Sequence, residues 1–342
     1  DHRDLHSFPT RRSSDLLHIS SWIPAISCLN EVSPLYGKII EFIRDPCYSK
    51  WTTKKQIDRN IINTKLMNIK FIPPGNRTKK SVSLKIAAVS MQCFRTPTEN
   101  LNKMLSVIAE IKEQQPQVEL ILFGETTFTW YDPKNHPQDH YSSAEPIPGP
   151  TTDRMAQLAK SMKIFLCFGM VEQEDEYIYN TQVLINPEGI IIARHRKWNL
   201  KENTFNAGDK PFTLVQIGGI QTALLICSDA ASLFTMRQLI KTAPDLILLS
   251  LADDMDVEFF MAKFNARLYA TWLVSANRYG REFTRYWNGH MVISNPSGKI
   301  VASSVDEETV LITDITVSGN TNKILRSFKN FVVRLPLIWH II

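Results

Sequence analysis

The chain has 342 residues, 44% of them hydrophobic and 21% charged, the make-up of a globular protein with room for one large domain and an appendage. No uninterrupted apolar run reaches the length of a membrane span, and Asp1-His2-Arg3-Asp4 followed by polar sequence does not read as a secretory signal. Five cysteines with no regular spacing and no CxxC pair argue against a disulfide framework and a structural zinc, and fit a reducing, cytoplasmic setting. The net charge of +5 is unevenly spread: residues 1–80 hold 14 basic and 7 acidic side chains, and residues 81–342 hold 25 and 27. The basic bias therefore says little about what the main body binds.

In chain order, residues 1–16 come first. The run His6-Ser7-Phe8-Pro9-Thr10-Arg11-Arg12-Ser13-Ser14-Asp15-Leu16 resembles the translation of a sequencing adapter. It is set aside as an artefact, which implies that the natural N-terminus is missing. Residues 17–80 carry weak helical patterning, Pro73-Pro74-Gly75 and the basic pair Lys79-Lys80. They read as a basic N-terminal extension or linker. Charge without a binding motif is poor support for a nucleic-acid-binding arm, so a nucleic acid is not an expected partner.

From Leu84 the texture changes. Leu84–Ser90 reads as a buried strand. Thr96-Pro97-Thr98-Glu99 is a capping box with proline at the first helical position, and Leu101, Met104, Leu105, Ile108 and Ile111 form one helical stripe behind it. Val118–Gly124 reads as a strand ending at Glu125. Glu145 lies in the proline-rich loop 144–151. A helix with Met155, Leu158, Ala159 and Met162 on one face follows, then a strand over Ile164–Met170. Three hairpins are signalled by Pro187-Glu188-Gly189, Gly218-Gly219 and Asn295-Pro296-Ser297-Gly298. Between the last two come a helix over Leu233–Thr242, a strand over Leu246–Ser250, a helix over Val257–Thr271 and a strand plus turn over Trp272–Arg278. A strand over Thr309–Ile315 closes the pattern, leaving 319–342 as a C-terminal tail. Strands alternating with helices argue α/β, and the hairpins require mixed sheets.

Three reactive side chains stand where apolar strands stop: Glu125, Lys197 and Cys227. Strand ends are where open α/β sheets place their sites. Each has a bland reading alone. A glutamate after a strand is usually a solvated loop carboxylate, a lysine within Arg194-His195-Arg196-Lys197 a surface charge, and a free cysteine a small core hydrophobe. Cys93 and Cys167, in or beside strands, read as packing residues. His290 reads as a structural hydrogen-bonder, and Trp130 and Tyr131 could equally wall a pocket or pack elsewhere.

Taken together these residues resemble the nitrilase superfamily of carbon–nitrogen hydrolases. Leu122-Phe123-Gly124-Glu125 is similar to the family's glutamate motif, and Ala144–Pro150 to its glycine–proline loop. Tyr179-Asn180-Thr181, Asn186–Gly189 and Arg196-Lys197-Trp198-Asn199-Leu200 are similar to the hairpin that carries its lysine. Phe205–Asp209 is similar to the loop that follows, Leu225-Ile226-Cys227-Ser228-Asp229 to the nucleophile motif, and Ser275–Arg278 with Gly289–Gly298 to the closing motifs. The resemblance covers roughly residues 84–315. It implies a hydrolase domain over 81–318 with the family's αββα four-layer sandwich, a homodimer or higher homo-oligomer, and a Glu125-Lys197-Cys227 triad.

In that triad, Cys227 attacks a small amide or N-carbamoyl substrate and Glu125 moves the proton. Lys197 and the backbone N–H of Ser228 hold the oxyanion, one such donor being worth about 3–4 kcal/mol. No metal or organic cofactor is implied, and no membrane partner. Glu202, the only glutamate in the loop after the lysine, is the candidate second glutamate, its register shifted by one. Asn277 and Arg278 fall near the site by the family pattern. Ser228 replaces the bulky residue common after the nucleophile, and Asp229-Ala230-Ala231-Ser232 departs from the usual continuation. The tryptophan–glutamate pair of true nitrilases is absent, which favours amides over nitriles. The alternatives are acyl or amide transfer in the same superfamily and a non-catalytic interaction module.

Overall fold

The computed structural model describes residues 81–254 and 257–317, all within one compact unit spanning residues 76–342. The adapter-like start, the basic segment 17–80 and the tail 319–342 lie outside the described residues. The elements are β1 (Val82–Gln92), α1 (Pro97–Gln114), β2 (Leu120–Leu122), α2 (Pro137–Ser142), α3 (Pro150–Met162), β3 (Phe165–Glu174), β4 (Tyr177–Ile185), β5 (Ile191–Arg196), β6 (Thr213–Ile217), β7 (Ile220–Ile226), a 3-10 turn (Cys227–Ala231), α4 (Leu233–Thr242), β8 (Leu246–Ser250), α5 (Val257–Tyr269), β9 (Trp272–Ala276), β10 (Arg278–Glu282), β11 (Arg285–Asn288), β12 (Met291–Ser294), β13 (Ile300–Ser304) and β14 (Thr309–Val317).

Two mixed sheets result. One has eight strands in the order β11-β10-β1-β2-β3-β4-β5, with β14 also paired to β1; the other has six, in the order β13-β12-β9-β8-β7-β6. Strands β1, β2 and β3 are parallel neighbours, as are β7, β8 and β9. The signalled hairpins supply the antiparallel pairs β4–β5, β6–β7 and β12–β13.

The layering follows from the two-residue alternation of side chains along each strand. On β1, Ala87, Val89 and Met91 face Met104, Ile108 and Ile111 of α1 and Met155 and Ala159 of α3. The alternate residues Leu84, Ile86 and Ala88 pack between the sheets with Leu224, Leu246, Leu248 and Val274. On β7, Ala223 and Leu225 turn outward to Met236 and Leu239 of α4 and Ala262 and Ala266 of α5. Helix, sheet, sheet and helix therefore stack as an αββα four-layer sandwich. Its central strands are buried on both faces, which is why they read as unbroken apolar runs. Among the described residues no helix is long and apolar enough to cross a membrane.

Two local expectations change, and one short helix is added. The strand expected over 118–124 pairs only over Leu120–Leu122. Its chain leaves the ladder to bond the other sheet, Glu125 N donating to Leu251 O at 3.0 Å. The turn expected at Arg278 is instead the first residue of β10, whose hairpin with β11 carries no apolar alternation to announce it. Helix α2 has only six residues, too few for a periodicity to show. Of the capping box expected at α1 the N-cap half is present, Thr96 Oγ1 accepting from Glu99 N at 3.4 Å, while Glu99 Oε2 accepts from the Thr96 hydroxyl at 2.5 Å rather than from Thr96 N.

Candidate active site

Sheet direction brings the three strand ends together. Strand β5 is two reversals away from β3 and so runs parallel to β2 and β3. Glu125, just past β2, and Lys197, just past β5, leave the first sheet at the same edge. The bond from Glu125 N to Leu251 O joins that edge to the carboxyl end of β8. There β7, parallel to β8, ends at Cys227. Ser250 Oγ, donating to Phe123 O at 2.9 Å and accepting from Gln182 Nε2 at 2.8 Å, ties the sheets at the same level.

Glu125 is fully buried. Its Oε1 accepts from Asn180 Nδ2 at 2.6 Å, Lys197 Nζ at 2.8 Å and Tyr131 OH at 3.0 Å. Its Oε2 is also buried and meets no donor among the described residues. The carboxylate is thus anchored by one oxygen with the other left over. The backbone is equally constrained, with Thr126 in the left-handed region at φ 45°. A Cβ on Gly169 would lie 2.4 Å from Thr126 N and 2.9 Å from Glu125 Cα, closer than backbone atoms tolerate. Gly169→Ala is expected to push this turn aside. A displacement of about 1 Å at a reacting group can cost roughly a hundredfold in rate, and overpacking costs about 1–3 kcal/mol. Steady-state kinetics beside a thermal melt would measure both, and unchanged kcat would show that the turn can give way.

Lys197 is 3% exposed. Besides Glu125, its Nζ lies 3.4 Å from both Tyr131 OH and Glu202 Oε1. Burial alone would lower its pKa. Glu125, then Tyr131, Cys227 and Glu202, outweigh that and hold it well above 10.5, so the ammonium persists. Tyr131 OH also stands 3.1 Å from Glu202 Oε1. Burial and Glu125 raise its pKa well above the ordinary phenol value, keeping it a neutral donor. Glu202 therefore does converge on this cluster despite its shifted register.

Cys227 opens the 3-10 turn directly after β7, with φ 42°. A non-glycine residue held in the left-handed region is uncommon and strained. It is partly exposed, unlike Cys93 and Cys167, which are buried. Burial pushes the Cys93 thiol up to about 12 and raises Cys167 as well, the behaviour of packing residues.

The turn is stapled to the lysine loop by its next two residues. Ser228 Oγ donates to Asn199 O at 2.5 Å, and Ser228 O accepts from Asn199 Nδ2 at 2.7 Å. Asp229, fully buried, accepts from Trp198 N at 2.9 Å and Asn199 N at 2.7 Å through Oδ1. Its Oδ2 accepts from Ile226 N at 3.1 Å and pairs with His195 Nε2 at 2.9 Å. Asp229→Ala strips the acceptor from four donors, of which Ile226 N and His195 Nε2 are buried and Trp198 N and Asn199 N part-buried. Each buried donor left unsatisfied costs about 1–3 kcal/mol. A large fall in unfolding free energy is expected in a denaturant titration; a change under about 1 kcal/mol would mean that water replaces the carboxylate.

Asn277 is placed differently from the others. Its side chain is spent on the chain after β8, Nδ2 donating to Asp253 O at 3.0 Å and Oδ1 accepting from Asp253 N at 3.1 Å. Its backbone, not its side chain, lies against Gly124. His290 interacts with Asn288, and Trp130 Nε1 donates to Cys93 O. The residues that sequence reasoning underweighted are Tyr131 and Asn180. The latter is quoted within a motif but given no role.

Residues 85–321 match the family model described as carbon-nitrogen hydrolase. Omega-amidase NIT2 of Xenopus tropicalis is 27% identical over 237 residues, 64% of this chain and 83% of the relative. A nitrilase of Pyrococcus abyssi is 25% identical over 246 residues, 70% of this chain and 92% of the relative. Among solved structures, Saccharomyces cerevisiae Nit3, a member of branch 10 of the nitrilase superfamily, superposes with a TM-score of 0.63 at 20% identity. That match covers 72% of this chain and 94% of Nit3.

Proposed function

The chain belongs to the carbon–nitrogen hydrolase family, and from that premise we propose that it hydrolyses a small amide or N-carbamoyl compound with Cys227 as nucleophile, Glu125 as base and Lys197 as oxyanion donor. The observation that carries this reading is the asymmetry of the Glu125 carboxylate. Among the described residues three donors hold Oε1 and none holds Oε2, so one oxygen orients the group and the other is open to a proton.

Oε2 takes the proton from Cys227 Sγ as the thiolate attacks the substrate carbonyl. The Lys197 ammonium and the backbone N–H of Ser228 receive the oxyanion, each donor lowering the barrier by about 3–4 kcal/mol. The proton passes from Glu125 to the leaving nitrogen, which departs as ammonia or an amine and leaves a thioester on Cys227. Glu125 then deprotonates a water that attacks the thioester and releases the acid. Glu202, reached by Tyr131 and Lys197, is assigned to positioning the lysine and the substrate. Asn277 keeps only a supporting place behind Gly124.

An amide is preferred to a nitrile because Ser228 and Asp229 follow the cysteine in place of the tryptophan–glutamate pair of true nitrilases. The omega-amidase relative points the same way and the Pyrococcus nitrilase the other. Pairing of subunits is part of the proposal, and light scattering would measure it. The functional test is ammonia release from a panel of amides, N-carbamoyl compounds and nitriles, beside iodoacetamide labelling of the free enzyme. Turnover of amides with Cys227 as the labelled site is expected. No turnover of any compound together with an unreactive Cys227 would sink the reading. Conjugates formed with added amines would mark acyl transfer instead.

A further inference from the structure

A buried ion pair on β10 stands behind the carboxylate cluster. Arg278 and Glu282 are both completely buried, four residues apart on a strand and so on the same face. Arg278 Nε donates to Glu282 Oε1 at 3.0 Å, and Nη2 reaches Oε1 at 2.7 Å and Oε2 at 2.8 Å. The guanidinium's remaining capacity goes to main chain. Nη1 donates to Glu125 O at 2.9 Å and Thr126 O at 2.8 Å, and Nη2 to Thr129 O at 2.6 Å. Glu282 Oε2 accepts from Tyr131 N at 2.7 Å. The pair therefore grips residues 125, 126, 129 and 131, both ends of one turn.

That turn carries Glu125 and Tyr131, whose side chains meet at 3.0 Å, and it contains the left-handed Thr126. A buried ion pair is poor evidence of a stability role, since hydrophobic replacements are often as stable. What a planar five-donor fork does, and an apolar side chain cannot, is fix several carbonyls at once. We propose that the Arg278–Glu282 pair is a positioning device for the reaction, holding the 125–131 turn so that Glu125 keeps one oxygen anchored and presents the other to Cys227.

This rests on Glu125 acting as the base. Arg278→Lys keeps the charge and loses the fork. With a displacement of about 1 Å able to cost roughly a hundredfold, kcat per folded site is expected to fall between tenfold and a hundredfold by that estimate, with KM within about threefold. Glu282→Gln keeps an acceptor for Tyr131 N–H and should lose less than Glu282→Ala. Iodoacetamide labelling of Cys227 is read alongside because it needs no substrate, and it should slow in step with kcat. If the parent turns over neither an amide nor an N-carbamoyl compound, the hydrolase reading loses its support, while the ratio of Cys227 labelling rates still tests the positioning role. Folded Arg278→Lys with kcat and labelling within about threefold of the parent would overturn the proposal. If Arg278→Lys does not fold, Glu282→Gln decides: slower chemistry at held KM supports it, and a variant that is only less stable, or does not fold, assigns the pair to the scaffold alone.

Discussion

Cys227→Ala is expected to lower kcat for amide hydrolysis by about ten-thousand-fold or more, the scale of losing a nucleophile, while the fold survives. No other side chain in the cluster can form the thioester. The structural cost is expected to be small because Cys227 is partly exposed and lies against the α4–α5 core as a partly buried residue. Alanine inherits the same left-handed backbone, so the strain there is unchanged to first order. A thermal melt within a few degrees of the parent, beside a null rate, would separate chemistry from folding. Cys93→Ala and Cys167→Ala reverse the pattern: both thiols are fully packed, so stability should fall while Cys227 labelling persists.

Lys197→Met is expected to damage both chemistry and stability. One oxyanion donor is worth about 3–4 kcal/mol in the transition state, which corresponds to roughly a hundred- to thousandfold in kcat. Glu125 and Glu202 also lose the cation that lies within reach of both, and an uncompensated buried charge costs about 3–5 kcal/mol. The sign of the pH dependence follows from the direction of the lysine's shift. Its folded pKa lies above 10.5, so its contribution is complete at neutral pH. It is lost as pH rises beyond 10.5 through that raised value. Denaturation midpoints at neutral and strongly alkaline pH would show the gap between parent and variant closing at high pH. Lys197→Arg is not expected to rescue activity, since a planar fork does not occupy the space of a compact ammonium.

The legible parts of the molecule are those encoded locally. Unbroken apolar runs on β7 and β8 mark strands buried on both faces, and a reactive residue closing such a run is visible without coordinates. Cys227 and Glu125 are of this kind, and the hairpins announced by Gly218-Gly219 and Pro187-Glu188-Gly189 are equally local. Lys197, by contrast, ends the charged run Arg194-His195-Arg196 and stands out only through the motif around it. Asn180 sits within β4 and looks like any strand polar residue until the fold brings it 2.6 Å from Glu125 Oε1, 55 positions away. Arg278 is separated from Glu125 by 153 positions, and no pattern of period two or 3.6 encodes such a distance. Asp229 was visible only as an odd residue after the nucleophile. Its four partners, two of them backbone N–H groups of the lysine loop, show that it serves the join between two strand ends.

The most direct measurement is intact mass spectrometry of the protein quenched during turnover of an amide mixture, followed by peptide mapping. A covalent acyl adduct is predicted on Cys227, absent from Cys227→Ala and formed more slowly in Glu125→Gln, which loses the proton carrier for acylation as well as for hydrolysis. Its mass would report the acyl group and hence the substrate. Hydrolysis that proceeds with no adduct at any quench time, and that survives Cys227→Ala, would contradict the assignment of Cys227 as the nucleophile.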